Sequence, residues 1–224
     1  MQPKTLDHVA LWVADRDPIA DFACAYLGMH VIAREDAFTL VGSDARHGKL
    51  TLFDAEGPRE RGALLRIGLR VSDLGAALAA LPDGSSPEVE VAEGLRIRLV
   101  EAPTGIEYDL DHVALQASDP DAAVEEYRRL GFEDAEPGEG GVARVEVGGA
   151  YVELHEGDPG APERPLLNHL AVLVDSAQEH IGEAERLGIV ESVVDAANTI
   201  AVFVWGPDRV RVEYVEHKPT FSLT

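Results

Sequence analysis

The side chains most able to do chemistry in this sequence are histidines and carboxylates that recur in matching surroundings. His8 stands in LDHVALWVAD, His112 in LDHVALQASD and His169 in LLNHLAVLVD. A fourth segment of the same pattern, ALLRIGLRVSD, carries Arg66 where the others carry histidine. Downstream, Glu153 lies in AYVELHEG and Glu213 in GPDRVRVEYVEH. In an extended strand, residues two apart share a face. His112 then shares its face with Ala114 and Gln116, and His169 with Ala171 and Leu173, opposite the main apolar core. Tyr151, Glu153 and His155 share one face, as do Arg211, Glu213 and Val215. Two imidazoles and two carboxylates, from His112, Glu153, His169 and Glu213, line one concavity if these strands curl toward each other. Such a nitrogen and oxygen set suits one divalent transition metal, Fe2+, Mn2+, Ni2+, Co2+ or Zn2+. Three ligands with open positions are what a catalytic rather than a structural site requires.

The elements that must position these groups form a repeat. Each opening runs apolar or alternates like a β-strand, then meets an Asp or Ser able to cap a helix. Helices follow in DPIADFACAYLGM, DLGAALAALPDG, DPDAAVEEYRRLGF and SAQEHIGEAERLGI. Three of them end at Gly28, Gly131 and Gly188, which lie 20, 19 and 19 residues after His8, His112 and His169. A glycine at that place lets the backbone turn left-handed and stops the helix. Short β-rich runs separated by Gly, Pro and Asp turns complete each unit, so the sequence predicts four βαβββ units. Offsets of 104 from His8 to His112, 103 from Arg66 to His169 and 106 from Glu107 to Glu213 point to two duplicated halves. These are expected as domains, 1–109 and 110–224, with the Pro-rich EGDPGAPERP at 156–165 as an extended connection inside the second. The N-terminal half reads His8, Thr51, Arg66 and Glu107 at the corresponding places, and a guanidinium has no lone pair to give a cation. That half is expected to be metal-free, with His169 but not His8 needed for metal. Arg66 pairs with Glu107 or holds an anionic ligand.

Composition excludes some partners. Of 224 residues, 41 are acidic and 19 basic, a formal net charge of -22 that repels a polyphosphate backbone, so no nucleic acid is expected. No apolar run approaches the roughly 20 residues of a membrane span, and the first residues lack a secretory layout. The expectation is a cytoplasmic protein with no membrane partner. Cys24, the single cysteine, rules out an intrachain disulfide and is expected in the packing of the first helix. His217 and the tail KPTFSLT cap the final strand or contact another subunit, and a homodimer is compatible with the sequence.

In these residues the chain resembles the vicinal oxygen chelate superfamily, which contains the glyoxalase, bleomycin resistance protein and extradiol dioxygenase families. The resemblance covers nearly the whole chain: four units, the first-strand histidine in DHVAL or NHLAV, the Leu-Gly helix stop and the last-strand Glu of GPDRVRVEYVE. It implies an α+β fold in which units pair into two pseudo-symmetric halves of cupped mixed β-sheet with helices outside. It also implies a metal-dependent enzyme whose small-molecule substrate chelates the metal through adjacent oxygens. His112, His169 and Glu213 fit the two-histidine, one-carboxylate set of extradiol ring-cleaving dioxygenases, an oxidoreductase reading that the layout of units favours. Glu153 stands where glyoxalases and epimerases have a fourth ligand, and in a lyase or isomerase Glu153 or Glu213 would serve as base. The extradiol pattern is not complete: Phe203 replaces a tyrosine, Gly206-Pro207 and Arg209 replace an acidic-Pro pair and a glycine, and about Asp195 stands where a histidine is expected. His155 is the candidate base in their stead. Tyr151, Phe203, Trp205 and Arg211 are candidates for the substrate wall. A non-catalytic, bleomycin-resistance-type binding protein is the other reading, because a binder tolerates those losses.

Overall fold

The computed structural model describes residues 1–57, 59–82, 84 and 86–221; the last three residues of the tail lie outside the described residues. The first unit comprises β1 (Thr5–Val13), α1 (Asp17–Tyr26), β2 (His30–Arg34), β3 (Phe38–Gly42) and β4 (Lys49–Asp54). The second comprises β5 (Leu64–Val71), α2 (Leu74–Ala80), β6 (Glu88–Glu90) and β7 (Arg96–Glu101), one strand fewer than expected among the described residues. The third has β8 (Asp109–Ala117), α3 (Pro120–Arg129), β9 (Glu133–Asp134), β10 (Ala143–Val147) and β11 (Ala150–Glu156). The fourth has β12 (Leu167–Leu173), α4 (Ala177–Leu187), β13 (Val190–Asp195), β14 (Thr199–Trp205) and β15 (Arg211–His217).

Local chemistry accounts for the element boundaries. The side chains of Asp73, Asp119 and Ser176 accept from the amides of Ala76, Ala122 and Glu179, capping α2, α3 and α4. α1 begins without a side-chain cap on Arg16, and there Asp15 accepts from the Asp17 amide instead. Gly28, Gly131 and Gly188 have φ of +59°, +91° and +68°, the left-handed turn that ends each of the three longer helices. α1 buries Ile19, Ala20 and Ala23, whereas Cys24 is exposed. The packing role expected for Cys24 is therefore corrected: one further residue rotates a helical side chain by about 100°, off the buried face.

The strands form two mixed sheets. One has eight strands in the order β13-β14-β15-β12-β1-β4-β3-β2, the other seven in the order β6-β7-β5-β8-β11-β10-β9. Units one and four thus share a sheet through antiparallel β1 and β12, and units two and three through antiparallel β5 and β8. The division into 1–109 and 110–224 does not describe the sheets, since each draws one unit from each half. The physical reason is that all four opening strands carry the same apolar pattern, so periodicity cannot select which of them pair. Residues of both sheets contribute to one buried cluster that includes Val9, Ile67, Val113 and Leu170. Ala171, Ala201, Phe203 and Val215 form a separate small cluster on the other face of the eight-stranded sheet. None of the described helices is long and apolar enough to cross a membrane.

Residues 110–224 expressed alone would leave β8 without β5 and β12 without β1. Circular dichroism should show no cooperative thermal transition for that fragment and one for the full chain, with co-expression of 1–109 restoring it.

Candidate metal centre

The opening strands share a feature that alternation does not predict. Register shifts place one extra residue in each: Asp7 on β1, Leu65 on β5, Asp111 on β8 and Asn168 on β12. Each is the residue before the repeat's His or Arg. A bulge re-aims side chains beside it, and here Asp7, Asp111 and Asn168 each reach the ring of the histidine that follows. Asp7 Oδ2 lies 2.8 Å from His8 Nδ1, Asp111 Oδ2 2.8 Å from His112 Nδ1 and Asn168 Oδ1 2.9 Å from His169 Nδ1.

In the eight-stranded sheet, His8, Ala171 and Glu213 stand side by side on β1, β12 and β15, with His169 beyond Ala171 on β12. The Asp7 carboxylate only accepts, and Asn168 Oδ1 also accepts from Arg211 Nη1 at 3.3 Å, which fixes the amide. Both imidazoles therefore donate from Nδ1 and present a lone pair at Nε2. The two Nε2 atoms face each other at 3.2 Å, and Glu213 Oε2 lies 3.0 Å from His169 Nε2 and 3.4 Å from His8 Nε2. All three ligand atoms fall within 4.8 Å of one another. Glu213 Oε2 is buried and has no hydrogen-bond partner among the described residues. Burial holds His169 below its ordinary pKa, with Glu213 pulling the other way and His8 and Arg211 adding to the lowering. Three facing lone pairs repel one another, and a cation among them removes that repulsion. The donor set fits a divalent metal.

Behind His8, Lys49 Nζ bonds both oxygens of Asp7 at 2.9 and 2.8 Å, and His217 Nε2 lies 3.2 Å from Asp7 Oδ1. Burial pushes the Asp7 carboxyl up, but hydrogen bonds from His217 and His8 and the Lys49 charge hold it well below the usual carboxylate range. His217 also stacks on Phe221, so this part of the tail folds over the end of the last strand.

The seven-stranded sheet repeats the geometry with other residues. Arg66, Ala114 and Glu153 stand abreast on β5, β8 and β11, with Arg144 next on β10. Arg66 Nη2 bonds Glu153 Oε2 at 2.7 Å, Arg144 bonds Glu153 Oε1, and His155 Nε2 lies 3.3 Å from Oε2. Arg66 Nε donates to His112 Nε2 at 3.3 Å, consuming the lone pair that would ligate. Burial pushes the Glu153 carboxyl up, yet the positive surroundings of His112, Arg144 and His155 hold it at about 2. Gly68 is required beneath His112, because a Cβ there would come within 2.2 Å of the ring.

The structure therefore separates the four expected ligands. His169 and Glu213 meet His8, while His112 and Glu153 meet Arg66, Arg144 and His155 in the other sheet. The sequence expected no donor from the N-terminal half, whereas the β1 to β12 pairing places His8 of that half beside His169 and Glu213. Arg66 pairs with Glu153 rather than with Glu107, which is exposed; Gly68 lies opposite Arg98 as Ala171 lies opposite Glu213, so Arg98 holds the equivalent place in unit two. Thr51, opposite Ala10, holds it in unit one. His155 and Tyr151 belong to the second sheet, with Tyr151 5.1 Å from the Arg144 guanidinium, and stand apart from Phe203 and Trp205. Phe203 does flank the centre, edge-on to His169 at 5.1 Å, and Phe53, missed in the sequence, approaches the same ring at 6.2 Å. Arg211 lies 4.3 Å over Phe203. Phe53 was detectable only through its place two residues after Thr51 on the same strand face.

A family model for the Glyoxalase/Bleomycin resistance protein/Dioxygenase superfamily matches residues 7–147. A comparison with curated proteins gives no match. Among solved structures, a candidate dioxygenase from Bacillus subtilis aligns with a TM-score of 0.76 at 15% identity, covering 97% of this chain and 86% of that one. Glyoxalase I from Zea mays aligns with a TM-score of 0.75 at 14% identity, covering 95% and 92%. At these identities the likeness is one of fold. The extent of the family match, over a repeat built from strand, helix and strands, makes this chain a member of the glyoxalase, bleomycin resistance protein and dioxygenase superfamily.

Proposed function

We propose that this protein is a metal-dependent enzyme whose small-molecule substrate reaches a cation on His8, His169 and Glu213 through two adjacent oxygens, in a reaction of the ring-cleaving dioxygenase type. The observation that carries this reading is the meeting of two Nε2 lone pairs and one unpartnered carboxylate oxygen. A divalent cation there supplies Lewis acidity, lowering the cost of negative charge on the substrate's oxygens. Asp7 and Asn168 hold the two rings in their ligating orientation, and orienting partners of this kind matter nearly as much as ligands. Phe203 and Phe53 give the site apolar sides that exclude water from a flat substrate. Two histidines with one carboxylate is the donor set of non-heme Fe(II) oxygenases. Thr51 at the place of the fourth ligand supports the same choice, since an isomerase or lyase needs a second carboxylate free to act as base. Glu153, the other candidate for that work, is committed to two guanidiniums.

Elemental analysis of reconstituted protein tests the centre. His8→Ala, His169→Ala and Glu213→Gln should each weaken metal affinity by more than about tenfold, and Asn168→Ala by about 10- to 100-fold. His112→Ala and Glu153→Gln should retain metal; loss in these two with retention in His8→Ala would reverse the assignment. A catechol screen should give a yellow product only in air, whereas turnover of a 2-oxoaldehyde hemithioacetal under argon would favour the isomerase or lyase class. In the second sheet, Glu153→Gln should cost about 2 kcal/mol at pH 7 by leaving two guanidiniums unpaired. Because the folded carboxyl titrates near 2 and the unfolded one near 4.3, that difference should be complete above about pH 5 and vanish as pH falls toward 2. Paired denaturant titrations across that range measure it.

A further inference from the structure

Beside the triad the eight-stranded sheet opens into a groove of about 390 Å³. Leu167 and Asn168 form part of its wall, and Leu167 lies two residues, about 7 Å of extended strand, from His169. Trp12 and Trp205, the only two tryptophans in the sequence, both line it. Its lining sets two arginines, Arg209 and Arg211, against two acids, Glu163 and Asp208, in a chain with more than two acids per base. The Arg209 and Arg211 guanidiniums lie 4.9 and 5.9 Å from the centre of the Trp205 ring. Arg209 is exposed and pairs with no carboxylate among the described residues, whereas Arg211 Nη2 bonds Glu191 Oε2 at 2.7 Å and only its buried Nε lacks a hydrogen-bond partner. The backbone that presents Arg209 is strained: Asp208 and Arg209 have φ of +49° and +60°, a region that non-glycine residues seldom adopt and that clusters at ligand clamps. Ser118 fixes this turn by donating its amide and its hydroxyl to the Asp208 carboxylate at 3.0 and 2.6 Å. Both Asp208 oxygens are thereby hydrogen-bonded, although its charge stays on the wall with that of Glu163.

We propose that this groove is the distal subsite of the centre and takes an aryl carboxylate arm of the substrate. The ring lies against Trp12 and Trp205, and the carboxylate pairs with Arg209, the arginine of the wall that no carboxylate already holds. Flat rings gain from offset or edge contacts with tryptophan, and guanidinium-carboxylate bonds are among the stronger hydrogen bonds. The proposal rests on the catalytic reading only for the substrate's other, metal-bound end.

Because both tryptophans line the groove, their fluorescence reports it without metal or turnover. Chelator-treated full-length protein titrated with biphenyl-4-carboxylate should show saturable quenching, with biphenyl-4-carboxamide and cyclohexanecarboxylate each at least about tenfold weaker. Arg209→Gln, a change at an exposed side chain, should weaken the carboxylate about tenfold and leave the amide unchanged. Absence of saturable quenching, equal affinity for acid and amide, or an Arg209→Gln variant that binds as the wild type would overturn the proposal. Failure of the triad reading looks different: protein that takes up no metal yet still quenches with the aryl acid keeps the groove and loses the centre.

Discussion

The antiparallel pairing of β1 with β12 is the contact on which the candidate centre depends. Its register sets His8 opposite Ala171 and Ala10 opposite His169, so the two imidazoles rise diagonally across adjacent strands with only methyl groups beside them. Glu213 joins from β15 because that strand runs parallel to β12 and aligns with Ala171. A one-residue slip in either pairing would turn an imidazole or the carboxylate to the opposite face. The bulges at Asp7 and Asn168 then turn the preceding side chain toward the ring, fixing which nitrogen carries the proton. Strand pairing, bulge and tautomer thus act in series, and the donor atoms converge only when all three are in place.

The two sheets form an internal comparison made on one backbone plan. The row His8, Ala171, Glu213, Phe203 in one sheet corresponds to Arg66, Ala114, Glu153, Arg144 in the other. Replacing an imidazole and a phenyl ring by two guanidiniums changes the electrostatics of the carboxylate completely. Glu213 is left with a buried oxygen that has no hydrogen-bond partner among the described residues, a state costly unless a cation is nearby. Glu153 has fixed cations on both sides and no lone pair to spare. Backbone geometry alone therefore does not set the charge around the carboxylate; the residues standing in the His8 and Phe203 positions do.

Much of the fold was legible in the sequence because its signals are local. A cap, an apolar turn of helix and a glycine stop are contained within one unit, and strand alternation needs no partner to be read. The choice of partner is another matter. Pairing the units within each half would have set His112 beside His169; pairing across the halves sets His8 beside His169 and Arg66 beside His112. DHVAL is identical around His8 and His112, so no residue in the motif distinguishes these outcomes. The nearness of His169 to Glu213 is legible because both belong to one unit, whereas that of His8 to His169 is not, because the two stand 161 residues apart. The bulges were hidden for a related reason. Period-two alternation puts Asp7 on the face opposite His8, and only an unpaired extra residue, visible in the register, brings both to the same ring.

The two histidines are not backed alike, and the difference links the centre to its surroundings. His8 is held by a carboxylate that Lys49 and His217 keep charged, whereas His169 is held by a neutral amide. Both partners fix which ring nitrogen carries the proton, the one through a charged group and the other through a neutral one. The amide behind His169 is itself oriented by Arg211, whose guanidinium also covers Phe203 and lines the groove. Any group that engages Arg211 in the groove competes with Glu191, Ser192 and Asn168 for its N–H bonds and, through Asn168, bears on the ring of His169. Linkage requires the reverse as well: a cation that tightens His169 against Asn168 alters how firmly Arg211 is held. One side chain is therefore shared between the polar shell of the centre and the wall of the groove, and the histidine held by the neutral amide is the one that communicates with it.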